Sequence, residues 1–219
     1  CSGSVQRKSY WRQLCRSFFP AFLEGLAMNK KIKVVFIGGL TNGVIVSEYL
    51  TKNKYVSIPL VFTHPQNFDF PRYSNLGEIF DDKTEIIRGM NIQCHVKKIK
   101  DAQPDLIIVA GWSGLLSNQI ISIPDRGTIG FHPSKLPNDR GRSVLAWQLE
   151  EGYTETALSM FYYNELPDCG DIIAQERITI EENDYVSDLM DKIDNATYNM
   201  MRAYFFLIRT GIAPRRKQD

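Results

Sequence analysis

The sequence predicts one α/β domain built on a mostly parallel, twisted β-sheet that is flanked by helices. Three observations predict it. Strand-length apolar runs recur along the chain, Gly38-Gly39 and a helical pattern follow the first run, and the strongest buried run lies at 105–110. A strand, a glycine turn, a helix and a second strand form a βαβ unit, whose crossover connection makes its two strands parallel.

The first half of the chain is predicted to alternate strands with helices. Strands are expected at 32–37, 55–63, 93–99, 105–110 and 127–131, and helices at 42–50, 84–90 and 117–123. Residues 64–83 are polar and irregular, and a loop of this length in a compact domain is usually functional or mobile. Ligands of an open α/β sheet bind beyond the carboxyl ends of its strands, where Gly38-Gly39, Gly111 and His132 are expected to converge.

The second half is predicted to complete the sheet with a β-hairpin and to end on a long helix. A helix is expected at 143–151, strands at 156–163 and 171–180, and a long amphipathic helix at 184–210. Ser143 is the expected N-cap of the first helix, and Gly211 and Pro214 are expected to stop the last one.

Composition excludes several classes of protein. Among 219 residues, 43% are hydrophobic and 23% are charged, which is typical of a globular chain. No apolar run reaches about 18 residues, so we expect no membrane span. The four cysteines form no C-x-x-C pair and have no histidine at zinc spacing, which indicates reduced thiols in a cytoplasmic protein without a metal site.

Residues 1–27 are expected to be an extension or a non-native segment, with a native helical arm as the alternative. Four basic residues against Glu24 give this segment a charge of +3, so the remainder of a chain of net charge +1 carries −2. A slightly acidic body argues against nucleic acid as a bulk partner, because phosphate binding needs a basic face.

Two tight loops carry the candidate chemistry. His132 follows a hydrophobic run within the Pro/Gly-rich stretch 130–142, and Asp168 lies in a glycine-containing loop before another apolar run. A histidine and an aspartate on two loops can act as an acid–base pair if the fold brings them together. Arg140 and Arg142 follow His132 closely, and a guanidinium can clamp a phosphate or a carboxylate with two hydrogen bonds.

The other candidate residues keep a structural alternative. Residues 38–43 form either a tight strand-to-helix turn or a cradle for an anion or substrate at a helix N-terminus. The cradle would use Gly39, Thr41 and Asn42. His64 and His95 are expected to be surface or loop residues, and Trp147 is expected to belong to the core.

These loops resemble the signature of the 10-formyltetrahydrofolate-dependent formyltransferase family. Residues 132–141 (His-Pro-Ser-Lys-Leu-Pro-Asn-Asp-Arg-Gly) match its first motif, and residues 166–173 (Leu-Pro-Asp-Cys-Gly-Asp-Ile-Ile) match its second. The 36 positions from His132 to Asp168 also suit the family. The resemblance implies a Rossmann-like formyltransferase fold, with residues 28–219 as the catalytic domain.

The resemblance also implies an enzyme that transfers a formyl group from its co-substrate 10-formyltetrahydrofolate to an amine, without a metal. His132 would donate to the oxyanion of a tetrahedral intermediate, and Asp168 would hold the imidazole and relay the amine proton through water. The folate would contact Trp112, Ser113, Gly114, Leu115, Leu116, Asn164, Glu165, Leu166 and Pro167. We expect the acceptor amine to contact Gly39, Thr41, Asn42, Ser134, Arg140 and Arg142.

One position departs from the family. The family's catalytic Asn stands two residues before the His, where this chain has Gly130. Either another donor replaces the Asn amide, with Ser113, Ser134 or a water as candidates, or the activity is weak or lost. Losing one such donor costs roughly 100- to 1,000-fold if nothing substitutes for it.

Several acceptors are compatible with the resemblance. A small amine on a nucleotide-linked sugar is favoured, because the acidic body argues against tRNA and residues 38–43 match the phosphate loop of glycinamide ribonucleotide enzymes poorly. The alternatives are methionyl-tRNA, glycinamide ribonucleotide, a folate-binding homologue without activity, and a hydrolase that releases formate. A homodimer is a further expectation.

Overall fold

The computed structural model describes residues 30–66, 68–69 and 71–219, and the predicted extension 1–27 lies outside them. Within the described residues the strands form one seven-stranded sheet. Its strands are β1 (Ile32–Gly38), β2 (Val56–Thr63), β3 (Glu85–Arg88), β4 (Leu106–Ala110), β5 (Thr128–His132), β6 (Glu155–Tyr162) and β7 (Ile172–Thr179). Their order across the sheet is β3-β2-β1-β4-β5-β6-β7, which confirms the predicted α/β architecture.

The sheet is parallel from β3 to β5 and antiparallel beyond β5. β1 pairs in parallel with β2 and β4, β2 with β3, and β4 with β5. β6 runs antiparallel to both β5 and β7, so the predicted βαβ unit and closing hairpin are confirmed. The parallel strands end together at Gly38, Thr63, Ala110 and His132, and we call this side of the sheet the carboxyl edge.

Helices pack against both faces of the sheet. They are α1 (Leu40–Thr51), α2 (Val96–Ala102), α3 (Asn118–Ile121), α4 (Val144–Glu150) and α5 (Val186–Thr210), with 3-10 turns at Leu76–Glu78 and Ile92–His95. The predicted long helix is confirmed as α5, which packs against α1, β6 and β7. Gly211 ends α5 with a left-handed φ of 79°, a conformation that glycine adopts without a Cβ clash.

The central strands are buried on both faces. In β1, Val34 and Phe36 belong to an apolar cluster that includes residues of α1 and α5, while Val35 and Ile37 belong to a second cluster with α2 and α3. A strand that is covered on both faces needs a nearly continuous apolar run. This requirement is why the sequence predicts β1 and β4 so clearly.

The region between β2 and β4 differs most from the prediction. Residues 84–90, predicted as a helix, contain β3 instead, because Glu85–Arg88 pairs in parallel with the end of β2 at the edge of the sheet. This pairing is a tertiary contact, which overrides the weak local preference of a four-residue segment.

The predicted strand at 93–99 is also wrong. This segment belongs to the second 3-10 turn and to α2. Ile92, Val96 and Ile99 all pack into the second apolar cluster, and their spacing is that of one helix face. Ser143 is the N-cap residue of α4, as predicted, but it has a left-handed φ of 58° and its side chain makes no capping hydrogen bond.

Candidate active site

His132 ends β5 at the carboxyl edge, as the sequence predicts, and its side chain is buried. Its Nε2 lies 2.8 Å from the backbone oxygen of Asp139, in the loop that follows β5. Because a carbonyl oxygen can only accept, Nε2 carries a proton and donates it. The ring is therefore oriented by the loop that the histidine itself introduces.

Asp168 lies beside the other nitrogen of the same ring. Its Oδ1 is 3.6 Å from Nδ1 of His132, and its Oδ2 accepts a hydrogen bond from the backbone N–H of Gly141 at 3.1 Å. The fold thus brings together two residues that are 36 positions apart in the sequence. Asp168 has a left-handed φ of 56°, an uncommon conformation for a residue other than glycine.

The C-terminal segment stabilises the Asp168 loop through hydrogen bonds from Gln218. Nε2 of Gln218 donates to the backbone oxygens of Asp168 at 2.9 Å and Gly170 at 2.7 Å. Oε1 of Gln218 accepts from the Arg140 guanidinium at 2.8 Å. Arg216 forms a backbone bridge with Ile172 of β7, which fixes this segment to the sheet. The sequence gives no local signal for Gln218, because its partners are 48 to 78 residues away.

The turn after His132 is held by hydroxyl groups. Ser134 is completely buried, and its hydroxyl donates to the backbone oxygen of Asn138 at 2.7 Å. Ser159 on β6 donates to the backbone oxygen of Ser134 at 2.6 Å and accepts from Gln175 on β7 at 2.9 Å. The hairpin therefore supports the turn, and the Ser134 hydroxyl is already engaged within the protein.

Tyr163 occupies the space beside Gly130. A Cβ built on Gly130 would lie 2.5 Å from Cε1 and 3.0 Å from the hydroxyl oxygen of Tyr163. Gly130 does not have a positive φ, so space and not backbone conformation requires glycine at this position. Sequence reasoning missed Tyr163, and the signal that could have found it is the glycine that replaces the expected Asn.

Arg140 and Arg142, two residues that are predicted to bind the acceptor, are exposed beside the His132–Asp168 pair. Among the described residues, Arg142 forms no ion pair or hydrogen bond, while Arg140 contacts Gln218. Trp147 on α4 is 63% exposed, so its expected place in the core is wrong. Two guanidinium groups remain accessible to an anionic ligand on this side of the His132–Asp168 pair.

His64 lies in the loop after β2 at the same edge, as one of its two expected positions has it, but it is not on the surface because it is only 1% exposed. Its ring stacks on Phe68 at 4.4 Å and on Trp112 at 5.0 Å. A Cβ on Gly39 would lie 2.2 Å from Nδ1 of His64, so the ring lies directly against the predicted cradle. Burial lowers the pKa of His64 and favours the neutral imidazole.

Buried polar atoms near His64 have no hydrogen-bond partner within the described residues. They are Nδ1 of His64, Oγ1 of Thr63 and Nε1 of Trp112. Such atoms are rare in folded proteins, because each loses its hydration without a replacement. They identify this part of the edge as a place where a ligand or water can supply the missing partners.

The cradle residues themselves differ in their contacts. Oγ1 of Thr41 accepts a hydrogen bond from Nε of Arg72 at 3.1 Å. The same guanidinium contacts Asp191 at 2.8 Å and Asp194 at 2.5 Å on α5. Gly39 is buried, and Asn42 is half-buried next to Gly111. Arg72 therefore ties the 64–83 loop both to the predicted cradle and to α5.

The predicted folate segments lie in two loops, 112–116 after β4 at the carboxyl edge and 164–167 after the antiparallel strand β6. In 112–116, Trp112 is half-buried while Leu115 is 74% exposed, and the Leu115 carbonyl accepts from Gln93 at 2.8 Å. In 164–167, Leu166 is 65% exposed and its backbone N–H donates to Oδ1 of Asn164 at 3.1 Å. Exposed leucines in both loops offer apolar surface to a planar ligand.

Other features lie away from this centre. Cavities of about 500 and 630 Å³ open next to α1 and α5 and next to α2 and α3, and neither is lined by His132 or Asp168. Among the described residues, Cys94 and Cys169 are free thiols and no cluster of His, Cys, Asp and Glu could hold a metal ion. None of the helices in this part of the chain combines the length and apolar character that a bilayer crossing requires.

Comparison with known proteins identifies one family. A family model described as formyl transferase matches residues 30–204. The methionyl-tRNA formyltransferase of Clostridioides difficile (strain 630) is 33% identical over 124 residues, which are 57% of this chain and 40% of that protein. The chain therefore spans less than half the length of this curated relative.

Solved structures share the fold at low sequence identity. Glycinamide ribonucleotide transformylase 1 from Symbiobacterium toebii superimposes with a TM-score of 0.70 at 17% identity, covering 86% of this chain and 93% of that one. WlaRD, a sugar 3N-formyl transferase solved in the presence of dTDP and 5-N-formyl-THF, gives a TM-score of 0.69 at 16% identity, covering 86% and 66%.

Proposed function

Because this chain belongs to the formyl transferase family, we propose that it transfers a formyl group from 10-formyltetrahydrofolate to a primary amine. The observation that carries the proposal is the pairing of His132 with Asp168 at 3.6 Å, on two loops that match the family's motifs. Residues 28–219 would form the catalytic domain, and 1–27 would take no part in the chemistry.

The reaction forms one bond, breaks another and transfers two protons. The amine nitrogen attacks the formyl carbon, and the carbonyl π pair moves to oxygen to give an oxyanion. The oxyanion then reforms the carbonyl while the bond from carbon to N10 of the folate breaks, and its electron pair stays on N10. One proton leaves the former amine and one proton arrives at N10, so that a formamide and tetrahydrofolate are released.

His132 would stabilise the oxyanion with an N–H group. Its Nε2 donates to Asp139 in this structure, so the ring would exchange that carbonyl for the substrate oxygen as the complex forms. Catalytic hydrogen bonds often reach their working geometry only in the substrate complex. A donor fixed in a protein site can lower such a barrier by about 3 kcal/mol.

Asp168 would orient the imidazole and relay the proton of the attacking amine. The Gly141 N–H and the Gln218 amide hold the Asp168 loop without occupying Oδ1. That oxygen faces Nδ1 of His132, and it can also accept a proton through a water. The two side chains would therefore divide the work, with the histidine at the oxyanion and the aspartate at the amine.

10-Formyltetrahydrofolate is a substrate here, since it is consumed at each turnover. We propose that its pterin lies between the loops 112–116 and 164–167. Both loops expose a leucine for apolar contact, and Nε1 of Trp112 lacks a partner within the described residues. Backbone groups of these loops would supply the polar contacts, as ligand pockets with few polar groups require.

The acceptor would be the amine of a nucleotide-linked amino sugar. The exposed Arg140 and Arg142 offer guanidinium groups to its phosphates, with Ser134 buried in the turn below them. Gly39, Thr41 and Asn42 would line the far side of the same pocket. Methionyl-tRNA is the second candidate, because the curated relative is a methionyl-tRNA formyltransferase, and glycinamide ribonucleotide is the third.

An acceptor screen tests the proposal. The chain is mixed with 10-formyltetrahydrofolate and, in separate reactions, with nucleotide-linked amino sugars, glycinamide ribonucleotide and methionyl-tRNA. Tetrahydrofolate and the formylated product are then measured together. We expect both to form in equal amounts with an amino sugar. Folate binding without transfer to any acceptor would favour a binding homologue, and formate release without an acceptor would favour a hydrolase.

A further inference from the structure

With its ring in this position, Tyr163 leaves no room for a side chain at position 130. The ring of Tyr163 lies 2.5 Å from the position where any larger residue at 130 would place its Cβ. Real Cβ atoms essentially never approach another heavy atom so closely. The space that a side chain at position 130 would fill is therefore occupied by the Tyr163 ring, and the phenolic oxygen lies 3.0 Å from that Cβ position.

The sheet register puts this phenol on the same face as His132. Gly130 pairs with Phe161, and His132 pairs with Ser159, across the antiparallel β5–β6 ladder. Paired residues in such a ladder point to one face, and so do residues two apart. Tyr163 therefore projects on the His132 side, where its ring stacks on Phe161 at 5.2 Å with an interplanar angle of 18°.

The hydroxyl of Tyr163 is a free donor near the acid–base pair. Burial and the charge of Asp168 act on this hydroxyl, and no side-chain hydrogen bond from the described residues engages it, which leaves its proton available. Burial, followed by the negative charge of Asp168, raises the pKa of Tyr163 above its ordinary value. The phenol therefore stays protonated near neutral pH, and a neutral phenol can donate a hydrogen bond.

The two serines considered from the sequence are weaker candidates. The Ser134 hydroxyl is completely buried and donates to Asn138. Ser113 lies on the exposed loop after β4. Tyr163 differs from both, because it stands within 3.0 Å of the position of the missing side chain itself.

From this geometry we infer that the Tyr163 hydroxyl donates a hydrogen bond to the oxyanion that forms at the formyl carbon. It would act beside His132 and in place of the amide that Gly130 lacks. The inference rests on the proposed function. No covalent bond changes at Tyr163, and its proton stays on the phenolic oxygen throughout the reaction.

The substitution Tyr163→Phe tests the inference, because it removes one oxygen and keeps the ring that stacks on Phe161. We expect kcat to fall about 100-fold with little change in KM, as for other single oxyanion donors. Tyr162→Phe is the matched control. The Tyr162 ring packs under the Arg215 guanidinium on the opposite face of the sheet. Tyr162→Phe removes the same hydroxyl group there, and the turnover of this variant should equal that of the wild type.

A binding measurement separates this inference from the proposed function. The probe is a folate analogue in which carbon replaces N10, so that its aldehyde can hydrate to a tetrahedral diol but cannot be transferred. Tyr163→Phe should bind it more weakly than the wild type does, and should bind the analogue without the aldehyde equally well. If Tyr163→Phe and the wild type have equal kcat and equal affinity for the aldehyde analogue, the inference about Tyr163 is overturned and the proposed function is not. A wild type that binds neither analogue and releases no tetrahydrofolate would overturn both.

A double substitution tests the exclusion between the two side chains. Gly130→Asn alone should lose activity, because its Cβ would meet the Tyr163 ring. In a Tyr163→Ala background the same Asn has room, and its amide can reach the vacated space. We expect Gly130→Asn with Tyr163→Ala to be at least tenfold more active than Tyr163→Ala alone, since restored donors of this kind recover part of a 100-fold loss. No recovery in a folded double variant would count against the inference.

Discussion

The carboxyl edge of this sheet has two parts, around His132 and around His64, that differ in how the protein engages the histidine ring. Around His132, both ring nitrogens face oxygen atoms, and the Asp168 loop is held by Gly141 and Gln218. Around His64, the ring nitrogen Nδ1 and two neighbouring side-chain atoms are buried without a partner in the described residues. Both histidines follow parallel strands, so the strand end alone does not explain the difference.

We infer from this difference that the two parts of the edge have different functions. A group that must act on a reacting atom is more effective when its neighbours already orient it, since orientation then costs nothing during the reaction. A buried polar group that binds a ligand can lack a hydrogen-bond partner in the free protein, and the ligand then supplies that partner. We therefore propose that the His132 part carries out the chemistry and that the His64 part binds a ligand.

The largest expected effect tests the chemical part. His132→Ala and Asp168→Asn should each lower formyl transfer about 1,000-fold, because one removes the proposed oxyanion donor and the other removes the proposed proton acceptor. Turnover of 10-formyltetrahydrofolate measures the loss, and circular dichroism checks that the fold survives. Asp171→Asn is the matched control for the same carboxylate-to-amide change. Wild-type turnover in either variant would remove the distinction between the two parts.

The next largest effect tests how strongly Arg72 stabilises the loop 64–83 beside His64. Arg72→Ala should lower the free energy of unfolding by about 1 to 2 kcal/mol, because it removes charged hydrogen bonds to α5 and leaves Asp194 half-buried without its partner. Urea denaturation measures the change. Lys52→Ala breaks an exposed ion pair with Glu48 and should cost less than about 0.5 kcal/mol. Equal costs would mean that Arg72 contributes no more than a surface charge.

A smaller effect tests the support of Asp168. Gln218→Ala should lower kcat about fivefold, which corresponds to about 1 kcal/mol for the hydrogen bonds that hold the loop. KM for 10-formyltetrahydrofolate should change little, because Gln218 contacts neither of the proposed folate loops, 112–116 and 164–167. The exposed Lys217→Ala is the control. If kcat in Gln218→Ala matches that of the control, the loop keeps its conformation without the C-terminal segment.

The smallest effect is a pH dependence of stability from His64. Its pKa is lowered in the folded state, so above about pH 6.5 the imidazole is neutral in both states and the stability is complete. As the pH falls below 6.5 the unfolded state binds the proton first, and stability declines until the pH passes the folded pKa.

A variant isolates this contribution. His64→Phe keeps an aromatic ring against Phe68 and Trp112 but cannot titrate. Urea denaturation between pH 7.5 and 5.5 should show a shallower decline for His64→Phe, and the difference should stay below about 1.4 kcal/mol per pH unit, the limit for one proton. Parallel declines in the two proteins would show that His64 does not take up the proton.

Local sequence patterns determined the parts of the fold with strong, long signals. The apolar runs of β1 and β4, the glycine turn before α1 and the amphipathic period of α5 each carry their own evidence within a few residues. The predictions failed at β3 and α2, where segments of four to seven residues depend on pairing and packing with distant strands.

The candidate site also has some features that the sequence predicts and others that only the tertiary structure shows. The sequence alone determined that His132 ends a strand and that Asp168 lies in a tight loop, because the turn residues around them act locally. Only the tertiary structure decided that the two meet, that Gln218 holds one of them, and that Tyr163 fills the space beside Gly130. Those facts depend on strand order and register, which join residues far apart in the chain, and no short stretch of sequence encodes them.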